Sequence, residues 1–500
     1  MRAFVYLSVI TITAFAGLWN LRDLPASWYG DISIVHEYVL AIREEQWPWH
    51  ISESAGPVYH YLISPGTMVL GHSYHAYKIL SVIVGQAGVV GTVLFVSAIF
   101  GFPWGVIAGL LIGTSFWFLA WERTGNSQIL IPVFVSYVLW VLFTLSAEKS
   151  GFARSRVLPV LAGLVVALSG MFLYPQVWHL PVVYAAGLMV LRKRIPWRRV
   201  AVPISGLIFF AAVLFLIMLS RSSQVLSGGY LGSKIWPMFA ADPASTIQTL
   251  FSYAIRAGGA LHVRGDGTFR VNVPGSPQLD IISGVLFFFG VFWLFRSRMK
   301  VFLMCVAGML FLALPSVLPT LPKEEVPNSG RMIGILPIVI VFVVSGLRLT
   351  YQIAGKYVAG VLVLCVLGLN LYKYFIQYPN VLPNKNNPWG RVVSEYIDTL
   401  PKTTQVMMID CCWGDWGQPE PKAVLYQLHD GSFRTGLMAV SYLSCADIDR
   451  STDVVLIGRP IQNQWNSMLS SCIAENLWEV YRDASGQKVF GAVYIPKISE

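Results

Sequence analysis

The residues best suited to do chemistry gather in a few short polar stretches between long apolar runs. In Trp28-Tyr29-Gly30-Asp31-Ile32-Ser33-Ile34-Val35-His36-Glu37-Tyr38, Ile34, Tyr38, Ala41 and Ile42 share one helical face, which predicts an amphipathic helix lying along a membrane surface. Asp31 at its start has two readings. It caps the helix by accepting orphan amide hydrogens, or it serves as a general base at the mouth of a cavity. Glu37 reads as a solvated helix residue or a substrate contact. Tyr59 and His60, in Gly56-Pro57-Val58-Tyr59-His60-Tyr61, read as interfacial anchors or as substrate-facing groups. The stretch Trp121-Glu122-Arg123-Thr124-Gly125-Asn126-Ser127-Gln128 places Glu122, Arg123, Asn126 and Gln128 together at the membrane surface. Its plainer reading is a Glu–Arg pair that shapes a turn. A denser polar cluster follows in His262-Val263-Arg264-Gly265-Asp266-Gly267-Thr268, which is either a turn or a cover for a site. Arg331, in Asn328-Ser329-Gly330-Arg331-Met332, and Lys78 either snorkel to headgroups or hold a phosphate, whose oxygens match a cation's donors.

Elements that position these groups must lie in lipid. Only 12% of the 500 residues are charged, 55% are hydrophobic, and the mean hydropathy is +0.59. Soluble chains carry roughly 25% charged residues. On the ruler of about 20 apolar residues per crossing, we count about eleven spans, near 3–20, 76–100, 103–120, 129–147, 157–174, 176–191, 200–219, 279–296, 301–318, 332–348 and 357–372. The first follows a lone Arg2 and precedes no small-residue cleavage site, so it reads as a retained span. The net charge of +10 is spread in short clusters rather than in an arm or patch, which argues against nucleic acid. Those clusters (Lys149, Arg154 and Arg156; Arg192 to Arg199; Arg296 to Lys300; Arg348 and Lys356) fall on one side if the spans alternate. That side is cytoplasmic. The N-terminus is then cytoplasmic, and the segments 21–75, 220–278, 319–331 and 374–500 lie outside.

The division expected is a transmembrane region, 1–373, with outer loops 21–75 and 220–278, followed by a small extracytoplasmic α/β domain, 374–500. Within the latter, Gln405–Ile409, Asp453–Ile457 and Val489–Ile495 read as strands, and Asn466–Asn476 reads as a helix. Cys411, Cys412, Cys445 and Cys472 lie there, and an oxidising compartment permits disulfides. Adjacent cysteines rarely bond each other, so Cys411 and Cys412 are expected to pair with Cys445 and Cys472. Cys305 and Cys365 lie in spans as packing residues. No zinc spacing, P-loop or Rossmann glycine pattern occurs.

The order of these stretches resembles the GT-C glycosyltransferases, in particular the bacterial relatives of dolichyl-phosphate-mannose protein mannosyltransferases and the aminoarabinose transferases of the same broad group. The resemblance rests on the acidic interfacial helix, then Gly56-Pro57-Val58-Tyr59-His60-Tyr61-Leu62-Ile63, then the run from Ser73 to Gly85, Trp121 to Gly125, Gly265 to Asp280, and Gly330-Arg331-Met332-Ile333-Gly334-Ile335-Leu336-Pro337. It covers about residues 1–350. This chain has Asp31-Ile32 where those relatives carry an Asp-Glu pair, and Lys78 where an arginine is frequent.

The resemblance implies a polytopic α-helical membrane enzyme in the cell membrane. It would move a sugar from a polyprenyl-phosphate carrier to an acceptor hydroxyl on a protein, lipid or glycan, with inversion. Asp31 would be the catalytic base, and Arg331, Lys78 and Arg123 would hold the donor phosphate. Glu37, Tyr59, His60, Glu122, Asn126, His262, Arg264 and Asp266 would be weaker substrate contacts. No cofactor is read from the chain; some GT-C enzymes use a divalent metal, and this sequence leaves that open. The competing reading is a transporter or lipid flippase, which should carry polar groups deep within its spans and broken helices at repeated positions. A reporter fused after Glu500 should be cleaved by protease added to intact cells; a protected reporter would reject the orientation.

Overall fold

The computed structural model describes all residues except 1, 27, 29, 53–54, 147–155, 175–176, 223–235, 319–324, 383–385, 387–388, 410–423, 429–436, 441–444, 459–478, 483–485, 487 and 499–500. Its described helices are α1 (Arg2–Leu18), α2 (Gly30–Arg43), α3 (Pro57–Leu70), α4 (Tyr74–Phe100), α5 (Phe102–Thr114), α6 (Phe116–Glu122), α7 (Leu130–Ser146), α8 (Val157–Ser169), α9 (Leu180–Val190), α10 (Trp197–Arg221), α11 (Pro243–Gly259), α12 (Ile281–Ser297), α13 (Met299–Val317), α14 (Leu336–Tyr372) and α15 (Trp389–Thr399), with short turns at Trp236–Ala241 and Ser329–Met332. The chain forms two compact units. The first comprises Met1–Trp19, Tyr38–Gly71 and Ala76–Tyr378; the second comprises Asn20–Glu37, His72–His75 and Pro379–Glu500. Two pieces of the segment 21–75 thus belong with the C-terminal domain.

The first unit is a multi-pass membrane bundle. Among the described residues, five helical stretches are long and apolar enough to cross a bilayer, or six if the pair α5 and α6, bent by 60°, is one span. Four shorter apolar helices accompany them. The expected break between residues 348 and 357 falls at Gly355, whose φ of +83° only glycine adopts readily, so α14 is two helical segments joined by a kink. The expected loop 220–278 is partly helical. Asp242 caps α11 by accepting from the Ser245 amide at 3.1 Å, and Pro243 follows at the first helical position.

Close helix packing in the bundle depends on glycine. A Cβ on Gly290 would lie 1.8 Å from the Phe342 carbonyl oxygen, and one on Gly346 would lie 1.9 Å from that of Leu286. The backbones of α12 and α14 therefore touch directly, as small residues permit in lipid, where apolar side chains gain nothing by leaving one another's company for the acyl chains. In α2, the buried stripe is Ile32, Val35, Val39 and Ile42 with Tyr38, whereas Ile34 and Ala41 are only half-buried. The apolar face expected from Ile34 and Ala41 is rotated, because Ile32, Val35 and Val39 compete for burial.

The second unit contains a mixed five-stranded sheet in the order β2-β1-β3-β5-β4. Strands β1 (Gln405–Ile409), β2 (Leu437–Val440) and β3 (Val454–Gly458) are parallel; β5 (Lys488–Ile495) runs antiparallel to β3 and to β4 (Glu479–Arg482). Strands β1 and β3 are buried on both faces, as a parallel centre requires. Trp389, Val393 and Ile397 of α15 pack on Val406, Met408, Val455, Ile457 and Phe490; Met407, Leu456 and Val493 face the opposite side with Ile448. The three expected strands are present, and β2 and β4 add to them. The expected helix Asn466–Asn476 lies outside the described residues. Cys445 is disulfide-bonded, while Cys411, Cys412 and Cys472 lie outside the described residues. Cys305 and Cys365 are free thiols, the first buried and the second exposed.

Replacing Gly346 with leucine should destabilise the bundle by about 3 kcal/mol or block its assembly, read by thermal unfolding in detergent. Gly360→Ala is the control, since its added Cβ meets nothing within 4 Å. Equal behaviour of the two variants would refute the close-packing account.

Candidate active site

Among the described residues of the first unit, five Asp, Glu, Lys or Arg side chains are buried: Lys78, Glu122, Arg123, Asp266 and Arg331. Charges removed from water must be met by protein groups or by a ligand, so these are the natural places to build a site. The polar stretch after α6 is not laid out on a surface. Residues 122–128 are all buried. Arg123 donates through Nη1 to the Ala16 and Gly17 carbonyls, at 2.9 and 2.7 Å, and through Nε to the Tyr374 hydroxyl at 3.0 Å. Its guanidinium also lies 5.0 Å from the ring centres of Tyr374 and Phe375. The two carbonyls belong to the last turn of α1, where helix acceptors lack partners and a cation is favoured. Those contacts brace α1, α6 and the end of α14.

Glu122 faces a different set. One carboxyl oxygen, Oε1, accepts from the Gln86 amide at 2.8 Å, and Gln86 Oε1 in turn accepts from the Thr13 hydroxyl at 2.7 Å. A Cβ on Gly85 would come within 2.5 Å of Glu122 Oε1. This buried polar line joins α1, α4 and α6. Gln86 and Thr13 belong to none of the polar stretches singled out in the sequence, although an amide inside a span is a signal in its own right. Asn126 caps the next turn by accepting from the Ser127 amide at 2.7 Å. Tyr59 holds that turn by donating to the Gly125 carbonyl at 2.9 Å; Gly125 has φ +78°.

His60 neighbours Tyr59 but is fully buried, stacked on Tyr38 with ring centres 4.2 Å apart, and its Nδ1 lies 3.1 Å from the Gly56 carbonyl. Burial pulls its pKa down to about 3, so the ring is neutral. His262 packs against Phe287 and Phe288, and burial lowers its pKa as well. Arg264 is exposed.

The loop before α12 and the turn carrying Arg331 meet at Asp266. Its Oδ1 accepts from the Thr268 amide at 2.8 Å, and its Oδ2 from the Ser329 amide at 2.6 Å. Burial raises its pKa, and those amide bonds oppose the rise. Asp280 caps α12, accepting from the Ile282 and Ser283 amides at 3.0 and 2.9 Å, and its other oxygen accepts from Asn370 at 2.8 Å. Asn370 Oδ1 accepts from the Phe116 amide at 2.9 Å, and Lys373 donates to the Pro277 carbonyl at 2.8 Å. The end of α14 and the residues after it thereby tie α6, the loop before α12 and α12 together. Asn370 lies within the expected span 357–372, and Lys373 and Tyr374 continue its helical pattern without a break, so none of the three stands out in the sequence.

Asp31 and Glu37 belong to the second unit, whereas Lys78, Arg123 and Arg331 belong to the first. Asp31 is exposed in the first turn of α2, which begins at Gly30, so it sits inside the helix rather than at its cap. Glu37 accepts from the Tyr426 hydroxyl at 2.8 Å, and the Tyr426 ring lies 4.5 Å from His36. Burial and the Glu37 carboxylate raise the Tyr426 pKa. Asn386 accepts from the Ala26 amide at 2.9 Å and donates to the Asp23 carbonyl at 2.7 Å, while Arg391 pairs with Asp23 at 3.3 Å. The segment bearing Asp31 is thus fastened to the C-terminal sheet domain. Among the described residues, no three His, Cys, Asp or Glu side chains converge as metal ligands.

The architecture matches a solved membrane protein from end to end. ArnT from Cupriavidus metallidurans bound to undecaprenyl phosphate superposes with a TM-score of 0.56 at 11% identity, covering 98% of this chain and 97% of that one. Its apo form gives 0.54 at 10%, covering 99% and 98%. This chain has the GT-C fold. The oligosaccharyltransferase AglB from Archaeoglobus fulgidus, in complex with an inhibitory peptide and a dolichol-phosphate, gives 0.45 at 12%, covering 97% of this chain and 74% of that one. No protein-family model and no curated sequence matches the chain.

Because His60 is neutral when folded and titrates near 6.5 when unfolded, the unfolded chain binds the extra proton below that pH. Stability should be fullest above pH 6.5 and fall as pH drops toward about 3. Thermal unfolding between pH 7 and pH 4 should show a shallower loss for His60→Gln than for the wild type; parallel curves would contradict a buried neutral ring.

Proposed function

We propose that the protein is a membrane glycosyltransferase that takes a monosaccharide from a polyprenyl-phosphate carrier and joins it to an acceptor hydroxyl on the extracytoplasmic face. The observation that carries this reading is the likeness over 98% of the chain to ArnT, a protein solved with undecaprenyl phosphate. The scarcity of charge supports it. A chain with 12% charged residues nonetheless buries Lys78 and Arg331 in its membrane unit, and cations so placed suit a lipid-borne phosphate.

In the proposed reaction the acceptor oxygen attacks the anomeric carbon, and the bond from that carbon to the phosphate oxygen breaks. The departing oxygen keeps the electron pair. The acceptor proton passes to the Asp31 carboxylate. Positive charge builds on the sugar ring as in other glycosyl transfers, and one displacement inverts the anomeric centre. The leaving group is already an anion, so it needs cations rather than an acid. Arg331 and Lys78 are assigned that role, while Arg123 supports the helix ends with the contacts described above. The acceptor is a hydroxyl on a protein, lipid or glycan, and the N-terminus is cytoplasmic with the C-terminal domain outside.

The test is transfer from a panel of polyprenyl-phosphate sugars by purified protein. Asp31→Asn should lower kcat roughly 100- to 10,000-fold in protein that remains folded, checked by its unfolding temperature. The product should carry the opposite anomeric configuration to the donor. Full activity of the variant would remove Asp31 from the mechanism, and no transfer from any donor would remove the function.

A further inference from the structure

We propose that Asp266 is a positioning residue for Arg331, setting the enzyme's recognition of the lipid phosphate without touching the phosphate itself. The inference rests on the phosphate role given to Arg331 above.

Arg331 stands in a helical turn of four residues, Ser329–Met332. So short a helix has no stability of its own, and its shape must be imposed from outside. Two carboxyl or amide side chains from separate chain segments do this at its start. Asn328, in extended conformation, caps the turn by accepting from the Arg331 amide at 3.0 Å. Asp266 accepts from the Ser329 amide, the first orphan donor of the same turn, at 2.6 Å. Further anchors hold the segment. The Asn328 amide donates to the Ser316 hydroxyl at 3.1 Å, the Trp117 ring nitrogen donates to the Ser329 carbonyl at 3.2 Å, and a Cβ on Gly330 would lie 2.6 Å from the Trp121 ring.

Asp266 is itself rigidly mounted. It is 1% exposed, and its second oxygen accepts from the Thr268 amide two residues on. Asn272 donates to the Asp266 and Ser276 carbonyls, both at 2.8 Å, and the Gly275 amide donates to the Asp266 carbonyl at 2.9 Å. The loop is therefore closed on itself, and its one carboxylate reaches across to the backbone two residues before the guanidinium. Both carboxyl oxygens accept from backbone amides. A carboxylate facing a phosphate would repel it; this one instead accepts from the backbone of the turn that carries Arg331.

The measurement is the affinity of the purified full-length protein, in nanodiscs, for undecaprenyl phosphate and for undecaprenol. Their ratio reads phosphate recognition and is not moved by a general loss of stability in protein that remains folded. The wild type should prefer the phosphate, and Arg331→Ala should lose the preference. Asp266→Ala should lower the ratio about tenfold, as expected for a hydrogen bond to an ionised group. Asp266→Asn, which keeps the volume and one acceptor, should lower it less and serves if the alanine variant does not fold. In the Arg331→Ala background, Asp266→Asn should change the ratio no further. The inference is overturned if the Asp266 variants keep the wild-type ratio, if they lower it equally with and without Arg331, or if Arg331→Ala leaves the preference intact. A wild type with no preference for the phosphate would overturn the glycosyltransferase reading as well, whereas loss on Arg331→Ala without loss on Asp266→Asn or Asp266→Ala sinks only the positioning role.

Discussion

A guanidinium with no exposure to solvent, that of Arg123, is held within the membrane unit by groups from three segments of the chain. Arg123 takes up two carbonyls left over at the end of α1 and the hydroxyl of Tyr374, and the Tyr374 and Phe375 rings lie close to it. In a low-dielectric interior such a charge is tolerated only when fully met by dipoles and acceptors. The demand is geometric: α1, α6 and the end of α14 must converge wherever Arg123 is. Residues 115–128 and 370–375 then cannot move independently, and the polar groups nearby inherit that rigidity.

The same logic extends outward. Asn370 has an amide that both donates and accepts, so it can join the Phe116 amide to the Asp280 carboxylate, which already caps α12. Lys373 reaches the Pro277 carbonyl and lies 4.4 Å above the Phe116 ring. Each contact satisfies a helix terminus or a loop carbonyl with a side chain from a distant segment. Functional groups held this way stand on loops and short turns, yet the loops are closed by their own hydrogen bonds. The second unit uses a similar device, with Asn386, Arg391 and Tyr426 fastening the segment that carries Asp31 and Glu37.

Reading the chain alone found what periodicity and composition encode. The apolar runs became helices, the break near Gly355 was visible from Arg348 and Lys356, and the strands Gln405–Ile409, Val454–Gly458 and Lys488–Ile495 follow their Val- and Ile-rich runs. The order of polar stretches pointed to the GT-C fold that the ArnT likeness displays. Helix α11 escaped although Asp242-Pro243 is a helix-start signal, because the surrounding segment is less apolar than a span. The roles of individual polar residues were harder. Arg123 and Arg331 look alike in the sequence, each a lone arginine in a short polar stretch. In the fold the first meets carbonyls of α1, while the second rides on a turn held by Asp266.

Hydropathy, charge placement and glycine in the chain determine that this protein lives in a bilayer and where its helices run, because burial of apolar surface and the cost of charge act residue by residue. Which acceptor each buried polar group finds is decided only when distant segments meet. Asp266 and Ser329 are 63 positions apart and Arg123 and Tyr374 are 251 apart. A hydrogen bond depends on distances of a few tenths of an ångström that no local pattern specifies; the folded chain sets them, and with them the difference between a residue that braces and one that binds.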